Sequence, residues 1–449
     1  MSTELLAPLD LAFWHLESDA HPMHLGALAE FSPVAGVTPQ GLLGLLGERA
    51  AAVPRLRMRV RDVMLPVGGK AWSTDRHFDV HRHVRRVEVE GDDFRAGAVR
   101  LAGELMERPL DRGLPPWEMY LLTGGDGAFA VLVKLHHALA DGMRAVAIGA
   151  GVFDEIVAAS GRRRVAGLRK PVPPLSWTAG PRAVAELALG RIEEAGQALG
   201  VGASVMRAGR LDLRATTALT AGSSGTRRLA VADLDAAAVD VVRRAAGGTA
   251  NDVLLAVVAG ALRRWMSGRG DALPVADPRA LVPVSRRRPG GPVGGGNLLS
   301  GYLLDLPVRE PDGARRLASV RGAMDRNKAA GPAKGAGAVA VLADRLPPLA
   351  HRFGAQLAGG AARMLFDVLV TSVPLPRSAL SLGGCPLRAL YPMAPLARGH
   401  SLAVALSPYG GRVRVGLVAD GEALADLDVL AAALAEELAD LRAGVGGGR

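Results

Sequence analysis

The chain has 449 residues, of which 49% are hydrophobic, and this length predicts two domains with a large buried interior. Its formal net charge of +10 is compatible with an anionic ligand or a membrane surface. It does not predict nucleic-acid binding, because no basic run is interleaved with aromatic residues and no binding motif occurs.

The single cysteine, Cys385, excludes an intrachain disulfide and favours a reducing cytoplasm. The first 22 residues are acidic early and lack the basic and apolar segments of a secretory signal. No stretch reaches about 18 uncharged apolar residues, so no membrane-spanning helix is expected. We therefore expect a cytoplasmic protein.

The first half alternates between strand and helix patterns. Helical apolar spacing covers residues 41–53, and strict alternation of arginine with apolar residues predicts a half-buried strand over 55–63. Two apolar runs around a Gly/Asp turn predict a hairpin over 117–137, and helical spacing returns over 141–157. These patterns predict an α/β domain.

A change of composition follows. Residues 160–181 are rich in Arg, Pro and Gly, 182–200 have the spacing of a lone helix, and 216–226 form a polar stretch. We therefore predict a linker between two domains. The predicted units are residues 1–160, a linker or crossover segment over 161–225, and residues 226–449.

The second half repeats the α/β pattern. The helix over 251–266 has Asn251 as its predicted N-cap and Asp252 in its first turn. A glycine-rich loop, 288–297, lies between two predicted strands. The predicted strands are 227–234, 279–287, 300–308, 366–376, 401–411 and 412–420, and a helix over 425–444 closes the chain.

Two adjacent histidines stand in "KLHHALADG", residues 134–142. On a strand, His136 and His137 point to opposite faces and cannot chelate one ion. No HExxH motif or Cys/His cluster occurs, so no metal site is predicted. An ordinary hydrogen-bonded core histidine is the competing interpretation. Against it, His137 continues an apolar row, lies where a strand gives way to a helix, and has Asp141 and Gly142 within one turn.

The sequence limits the kinds of reaction in which a catalytic histidine could take part. Imidazole can act as a base near pH 7. No G-x-S-x-G elbow is present, and the surroundings of Cys385, "LGGCPLR", give no reason for a lowered thiol pKa. A histidine acting directly on the substrate is therefore favoured over one that activates a protein nucleophile.

"HHALADG" matches the HHxxxDG motif of coenzyme A-dependent acyltransferases. Other blocks resemble the bacterial wax ester synthase/diacylglycerol acyltransferase family, in that family's order from residue 7 to residue 420. They are "APLDLAFWHLESDAHPMHLGALAEF", "VPRLRMRV", "PLDRGLPPWEMYLL", "NDVLLAVVAGALRRW", "LVPVSRR", "GGGNLLSGYLLDLPV" and "ALYPMAPLARGHSLAVALSPYGGRVRVGLVAD".

This resemblance implies an α/β fold of two chloramphenicol-acetyltransferase-like domains joined by a crossover segment, with the active site in a tunnel between them. It implies acyl-coenzyme A as co-substrate and no bound cofactor or metal. By the motif, His137 is the general base and His136 supports it. Asp141 holds the loop through an ion pair with an arginine, for which Arg57 fits.

The resemblance also implies which residues bind substrate. At two places in the second half, this chain departs from the family's usual sequence. The implied residues are Gly142, Asn251, Asn297, Ser372 and Leu375. This chain has "SVPLP" at 372–376 where the family usually has Asn-Val-Pro-Gly-Pro, and Ala394–Pro395 where it usually has Gly-Pro. Leucine in place of glycine fills space and restricts the backbone, so the acceptor alcohol can differ from the family's usual lipids.

The function predicted is an O-acyltransferase that moves a fatty acyl group from acyl-coenzyme A to a hydrophobic alcohol, giving a wax ester or triacylglycerol. A specialised-metabolite acyltransferase of the same fold, with a carrier-protein donor or an amide product, stays an alternative. A non-catalytic lipid-binding relative is a third, which the intact motif opposes. The apolar segment 337–366 could line a tunnel or lie on a membrane or lipid-body surface, or form an ordinary helix pair.

Overall fold

The computed structural model describes residues 4–156, 218–221, 223–285, 299–330, 348, 351, 365–376 and 378–446. Within these ranges the chain forms sheets of seven, six and three strands, with helices packed against them. The predicted α/β class with two sheet-containing halves is confirmed.

The first half contains four helices and eight strands in the described residues. In chain order they are β1 (Glu4–Leu5), α1 (Pro8–Leu16), β2 (His24–Phe31), α2 (Pro39–Ala52), β3 (Met58–Asp62), β4 (Lys70–Thr74), β5 (Val84–Glu88), α3 (Phe94–Glu107), β6 (Trp117–Thr123), β7 (Phe129–His136), α4 (Gly142–Val152) and β8 (Asp154–Ile156).

The second half contributes eight strands and four helices in the described residues. They are β9 (Arg227–Asp235), α5 (Ala236–Ala246), α6 (Ala250–Gly268), β10 (Arg279–Ser285), β11 (Leu299–Asp305), α7 (Gly313–Ala330), β12 (Val368–Ser372), β13 (Ala379–Leu382), β14 (Cys385–Met393), β15 (Leu402–Tyr409), β16 (Arg412–Asp420) and α8 (Leu427–Gly446).

The seven-stranded sheet has the order β5-β6-β7-β2-β14-β13-β8. Its strands β13 and β14 come from the second half of the sequence. Strand β14 runs antiparallel to β2, with Leu387 opposite Phe31 and Met393 opposite Gly26. The sheets therefore do not divide the chain at the predicted boundary near residue 226, because residues 379–393 return to complete the first sheet.

The six-stranded sheet has the order β11-β10-β12-β15-β16-β9. Strand β12 is parallel to both of its neighbours, β10 and β15, whereas β15, β16 and β9 are antiparallel. Helix α6 is buried along most of its length, including Trp265. Most of its positions therefore face the core, which explains why the middle of the helix, before Arg263 and Arg264, has an apolar sequence.

Several predicted elements are confirmed with shifted ends. The hairpin over 117–137 forms as β6 and β7, and the helix over 41–53 forms as α2, whose Thr38 side chain accepts a hydrogen bond from the Gly41 N–H. The strand predicted over 55–63 starts only at Met58, because residues Pro54–Arg57 form a 3-10 turn that a proline begins. The helix predicted over 141–157 ends at Val152, and β8 follows.

The predicted N-cap Asn251 is wrong. Helix α6 begins at Ala250, and Thr249 caps it by accepting a hydrogen bond from the Asp252 N–H at 3.3 Å. The Asp252 carboxylate accepts the Thr249 N–H at 2.8 Å, which completes a capping box. Asn251 therefore lies inside the first turn of the helix.

Most of the predicted linker 161–225, the glycine-rich loop 288–297 and most of the segment 337–366 lie outside the described residues. Among the described helices, none is by itself both long and apolar enough to cross a bilayer. Helices α5 and α6 meet that test only as a pair, with a bend of 104° between them.

Candidate active site

The end of strand β7 presents His137. The strand's last residue is His136, and the next residue donates its backbone N–H to the carbonyl of Met23 at 2.8 Å. The ring of Phe13, from helix α1, stacks on the His137 ring with centroids 4.0 Å apart. Strand β2 and helix α1 therefore fix the backbone and the ring of His137 together.

His137 lines a cavity of about 390 Å³ between the two large sheets. The cavity wall is mostly apolar and comes from both halves of the chain. From the first half it includes Val133, Leu135, Met143, Val146 and Ile148; from the second it includes Leu369, Val373, Leu375, Leu390 and Met393.

The surroundings of His137 disfavour its charged form. Burial lowers the pKa of His137 from its ordinary value to about 4, against the opposing effect of the residue's own backbone carbonyl. At neutral pH the imidazole is therefore uncharged, which is the state a general base requires.

His136 points to the other face of the strand, as the alternation of a strand predicts. Its ring packs beside Trp14, and its Nδ1 accepts a hydrogen bond from the Ala138 N–H at 2.9 Å. The other nitrogen, Nε2, lies 3.4 Å from a carboxylate oxygen of Glu17. Because Nδ1 accepts, the hydrogen of the neutral ring lies on Nε2, the nitrogen nearer Glu17.

Glu17 is the centre of a polar cluster behind the site, in which the histidines are buried and Arg112 is half-exposed. Its Oε1 lies 3.3 Å from Nε2 of His24, and its Oε2 lies 2.9 Å from Nη2 of Arg112. His24 and His136 are each 1% exposed. We call Glu17, His24, Arg112 and His136 the Glu17 cluster.

The charges in the Glu17 cluster follow from its geometry. Burial acts to raise the pKa of Glu17, but hydrogen bonds from His136 and His24 outweigh it and hold that pKa well below its usual range. Burial lowers the pKa of His24 to about 4, with Glu17 acting in the opposite direction. At neutral pH the cluster is thus a carboxylate paired with the Arg112 cation.

Asp141 begins helix α4 and lines the cavity. Its Oδ1 accepts a hydrogen bond from the Arg144 N–H at 2.8 Å, so it is the helix N-cap. The predicted ion pair with Arg57 is wrong: the Arg57 guanidinium lies over the Phe78 ring, 5.6 Å from its centroid, and no Asp141–Arg57 pair occurs among the described residues.

The structure brings together some of the predicted substrate-binding residues. Gly142, Ser372 and Leu375 all line the cavity. A Cβ on Gly142 would lie 3.4 Å from a methyl of Val373, so the two halves of the chain face each other at this point of the wall. Asn251 is not among the described residues that line the cavity, and Asn297 lies outside the described residues.

Sequence reasoning missed the Glu17 cluster. Its members Glu17 and His24 stand in the opening block "FWHLESDAHPMHL", which combines aromatic residues with three histidines and two carboxylates. That density of titratable groups among apolar ones was the available signal. In the described part of the chain, no group of three or more His, Cys, Asp or Glu residues is arranged to hold a metal ion.

A larger groove of about 790 Å³ lies elsewhere, among helices α6, α7 and α8. Its wall carries Arg263, Arg264, Arg316 and Arg321, together with acidic residues that pair with several of them. None of the predicted site residues lines it. Size alone therefore does not distinguish the candidate active site.

Comparison with known proteins points to one family. The model of the wax ester synthase/diacylglycerol acyltransferase catalytic domain matches residues 6–254, and that of the family's C-terminal domain matches residues 295–442. A probable diacylglycerol O-acyltransferase of Mycobacterium tuberculosis, tgs2, is 31% identical, over 99% of this chain and 100% of that protein.

Two solved structures share the fold. The wax ester synthase/diacylglycerol acyltransferase of Marinobacter aquaeolei VT8 has a TM-score of 0.70 at 24% identity, over 98% of this chain and 100% of that one. The trichothecene 15-O-acetyltransferase of Fusarium sporotrichioides has a TM-score of 0.61 at 13% identity, over 98% and 95% of the two chains.

Proposed function

Because the chain belongs to the wax ester synthase/diacylglycerol acyltransferase family, we propose that His137 is the general base with which it acylates a hydrophobic alcohol. The acyl donor is acyl-coenzyme A, and the product is a wax ester or triacylglycerol. The observation that carries the assignment is an uncharged histidine at the wall of an apolar cavity.

In the proposed reaction one proton is transferred twice, first to His137 and then from it. In the neutral ring one nitrogen of His137 carries a hydrogen and the other a lone pair. The nitrogen with the lone pair takes the proton of the acceptor hydroxyl as that oxygen attacks the thioester carbonyl. The tetrahedral intermediate then collapses, the C–S bond breaks, and the imidazolium returns the proton to the coenzyme A sulfur.

His136 and Asp141 serve the site without touching the reacting atoms. His136 is held on the back of the strand by Glu17, which positions the residue next to it. Asp141 caps helix α4, whose first turn forms part of the cavity wall. In this proposal Gly142, Ser372 and Leu375 contact substrate.

The apolar wall supports a fatty acyl chain as one substrate. Each methylene that leaves water contributes about 0.8 kcal/mol, so a long chain gains much of its affinity from such a wall. Among the described residues of the wall, the titratable side chains are the uncharged His137 and the capping carboxylate of Asp141. An acceptor that is itself apolar fits the same surface.

Leu375 favours a second candidate, an acyltransferase for a smaller or differently shaped alcohol. This leucine lines the cavity and packs against the core of the first half, where the family usually has glycine. Its side chain occupies volume that a long-chain alcohol or diacylglycerol would otherwise fill. The carrier-protein donor and the amide product belong to this candidate.

One experiment tests these proposals together. The protein is incubated with palmitoyl-coenzyme A and a fatty alcohol, diacylglycerol, a small polar alcohol or an amine, while free thiol is followed and products are identified by mass spectrometry. Acceptor-dependent thiol release supports the acyltransferase, and its absence with every acceptor contradicts it and leaves a lipid-binding protein.

Leu375→Gly decides between the two acceptor classes. We expect the variant to gain activity with the long-chain lipids, and Leu375→Ala to show a smaller gain in the same direction. Strong diacylglycerol acylation by the unmodified protein would contradict the narrowing of the cavity by Leu375. Melting curves of all three proteins separate a change in the cavity from a loss of core packing, which costs about 2–5 kcal/mol.

We also propose that the protein works at a membrane or lipid-body surface facing the cytoplasm. Its apolar substrates partition into such surfaces, and its positive net charge suits anionic headgroups. The acceptor and the acyl chain would then enter the cavity without crossing bulk water.

A further inference from the structure

The hairpin between β3 and β4 exposes a run of apolar side chains. Met64 is 93% exposed, Leu65 66% and Val67 58%, and Pro66 between them is also exposed. We call these four residues the apolar tip. Most other large apolar residues in the described chain are buried or stand alone on the surface, so a contiguous exposed run needs an explanation.

The apolar tip is a defined turn. The Gly69 N–H donates to the Pro66 carbonyl at 2.8 Å, and the Val63 N–H donates to the Gly69 carbonyl at 3.2 Å. Gly68 has φ +77°, the left-handed backbone that the third position of a type II turn requires. The side chains of the tip are therefore presented on an ordered hairpin end.

Basic residues lie directly behind the apolar tip. Lys70 pairs with Asp62 at 2.6 Å, and Arg59 lies 3.8 Å from Asp75. Arg61 is exposed and has no ion-pair partner among the described residues, so it gives this end of the hairpin a positive charge. An apolar end with a cation behind it matches the layered chemistry of a lipid surface, with acyl chains beneath anionic headgroups.

The hairpin is connected to the active site by helix α1. The Leu6 N–H donates to the Lys70 carbonyl at 2.8 Å, and α1 begins two residues later. The helix is about 14 Å long at 1.5 Å per residue and carries Phe13, which stacks on His137. Helix α1 thus links the base of the hairpin to the ring that stacks on His137.

We propose that the apolar tip inserts into a phospholipid surface with anionic headgroups, with Arg61 at the level of the headgroups. The inference deepens the proposed function, on which it rests for the idea that substrates come from lipid. A protein partner fits less well, because a stable interface takes about 20–30 residues on each side. Four side chains suffice to wedge a hairpin into a lipid surface.

Vesicle co-sedimentation of the full chain tests the insertion. The probes are phosphatidylcholine vesicles with and without phosphatidylglycerol. We expect the triple variant Met64→Ser, Leu65→Ser, Val67→Ser to bind at least about tenfold more weakly to both. Arg61→Gln should lose about fivefold on the anionic vesicles and little on the neutral ones.

Val275→Ser is the matched control. Val275 is also 93% exposed, but it stands alone in a loop of the second half with Asp271 and Asp277 nearby. This variant should bind vesicles like the unmodified protein. Equal binding by the triple variant and the unmodified protein, or no binding by the unmodified protein, would overturn the inference.

A fluorescence experiment tests insertion of the apolar tip without the triple variant. The native Cys385 is fully buried, so Met64→Cys can be labelled selectively with an environment-sensitive dye. We expect a blue shift with vesicles for this variant and none for labelled Val275→Cys. A blue shift that follows protein concentration without vesicles would assign the tip to contacts between copies of the chain and overturn the lipid proposal.

Turnover separates this inference from the proposed function. The triple variant should keep its activity with a short-chain acyl-coenzyme A and a water-soluble alcohol, and lose it with substrates embedded in vesicles. Unmodified protein that binds vesicles through the tip but acylates no acceptor would refute the proposed function and leave the inference intact. Equal loss of both activities in the triple variant would overturn the inference.

Discussion

The two faces of strand β7 at its last residues have opposite chemistry. On the cavity face, His137 meets an apolar wall and an aromatic ring, and it stays uncharged. On the back face, His136 meets the carboxylate of Glu17, which Arg112 pairs from the other side. Adjacent residues of one type thus have separate tasks, because a strand turns successive side chains to opposite faces.

The contacts of His136 on the back face of β7 hold the backbone that carries His137 on the cavity face. The Ala138 N–H and the Glu17 carboxylate hold the two nitrogens of His136, and this fixes the turn that follows the strand. The backbone of His137 lies within that turn. A catalytic group on a short loop is precise only when the groups behind it are held in place.

Replacing each histidine in turn is the strongest test of this comparison. His137→Ala should lower kcat by about 10²–10⁴ with an unchanged melting temperature, because it removes the base and leaves the buried cluster intact. His136→Ala should lose less activity and some stability, because Glu17 loses one hydrogen-bond partner. Steady-state kinetics and thermal unfolding provide the two readouts, and equal kinetic losses would refute the division of tasks.

Removing the charge of Glu17 tests the supporting role of the back face. Glu17→Gln should lower the free energy of unfolding by roughly 2–4 kcal/mol, since it leaves a cation and two buried rings without their carboxylate. We expect kcat to fall about tenfold as the turn loosens.

Glu104→Gln is the control for Glu17→Gln. Glu104 pairs with Arg100 on the exposed side of helix α3, and such surface pairs contribute about 0.3–0.5 kcal/mol. Denaturant unfolding should therefore separate the two variants clearly. A cost for Glu17→Gln as small as that of the control would show that the cluster does not hold the site.

The pH dependence of catalysis tests whether the surroundings of His137 on the cavity face lower its pKa. With a pKa of about 4, His137 should keep most of its kcat/KM at pH 5.5, where a histidine of pKa 6.5 would retain about one-tenth. An acid limb of the kcat/KM profile near pH 6.5 would contradict the apolar environment of His137.

Stability should change over the same range of pH. The folded-state pKa values of His137 and His24 lie below the unfolded value near 6.5, so the unfolded chain binds protons first. Stability is therefore lost as pH falls from about 6.5 to about 4. Below the ordinary pKa of Glu17, its lowered folded-state pKa adds a further loss. Unfolding free energies measured in the same buffers check this direction.

The smallest expected effect concerns Asp141. Asp141→Ala should cost about 1 kcal/mol through loss of the N-cap of α4, whereas Asp141→Asn should keep most of it, because an amide oxygen also accepts the Arg144 N–H. Chemical denaturation compares the two variants. If asparagine costs as much as alanine, the negative charge of Asp141 and not its hydrogen bond supports the helix.

Local patterns in the sequence predicted much of the fold and the central residue of the site. The apolar runs of β6 and β7 and the helical spacing of α2 reflect which residues are buried, and the sequence records this directly. His137 was predicted because its motif, its place after an apolar strand and its chemistry all agreed. The residues of the Glu17 cluster could not be predicted from local patterns, because Glu17 lies 119 positions before His136 and Arg112 lies 95 positions after Glu17.

The errors also have physical causes. Asn251 and Thr249 are both good N-cap residues, and only the reciprocal bonds with Asp252 decide between them. The alternating arginines of 55–63 suggested a single strand, but Pro54 begins a 3-10 turn that sends Arg57 to Phe78 and away from Asp141. The return of β14 to the first sheet leaves no local mark, because an antiparallel strand has the same pattern in either sheet.

Because β14 pairs with β2, the seven-stranded sheet can be completed only after most of the chain has been synthesised. Leu387 pairs with Phe31 across more than 350 residues, so the seven-stranded sheet stays open on the ribosome until most of the chain has emerged. Strand β2, which positions His137 through Met23, has an unpaired edge until then. An unpaired edge is a template for aggregation. We therefore expect chaperone occupancy on the nascent first half to persist through most of translation, and a chain cut before residue 379 to aggregate instead of folding as a free domain.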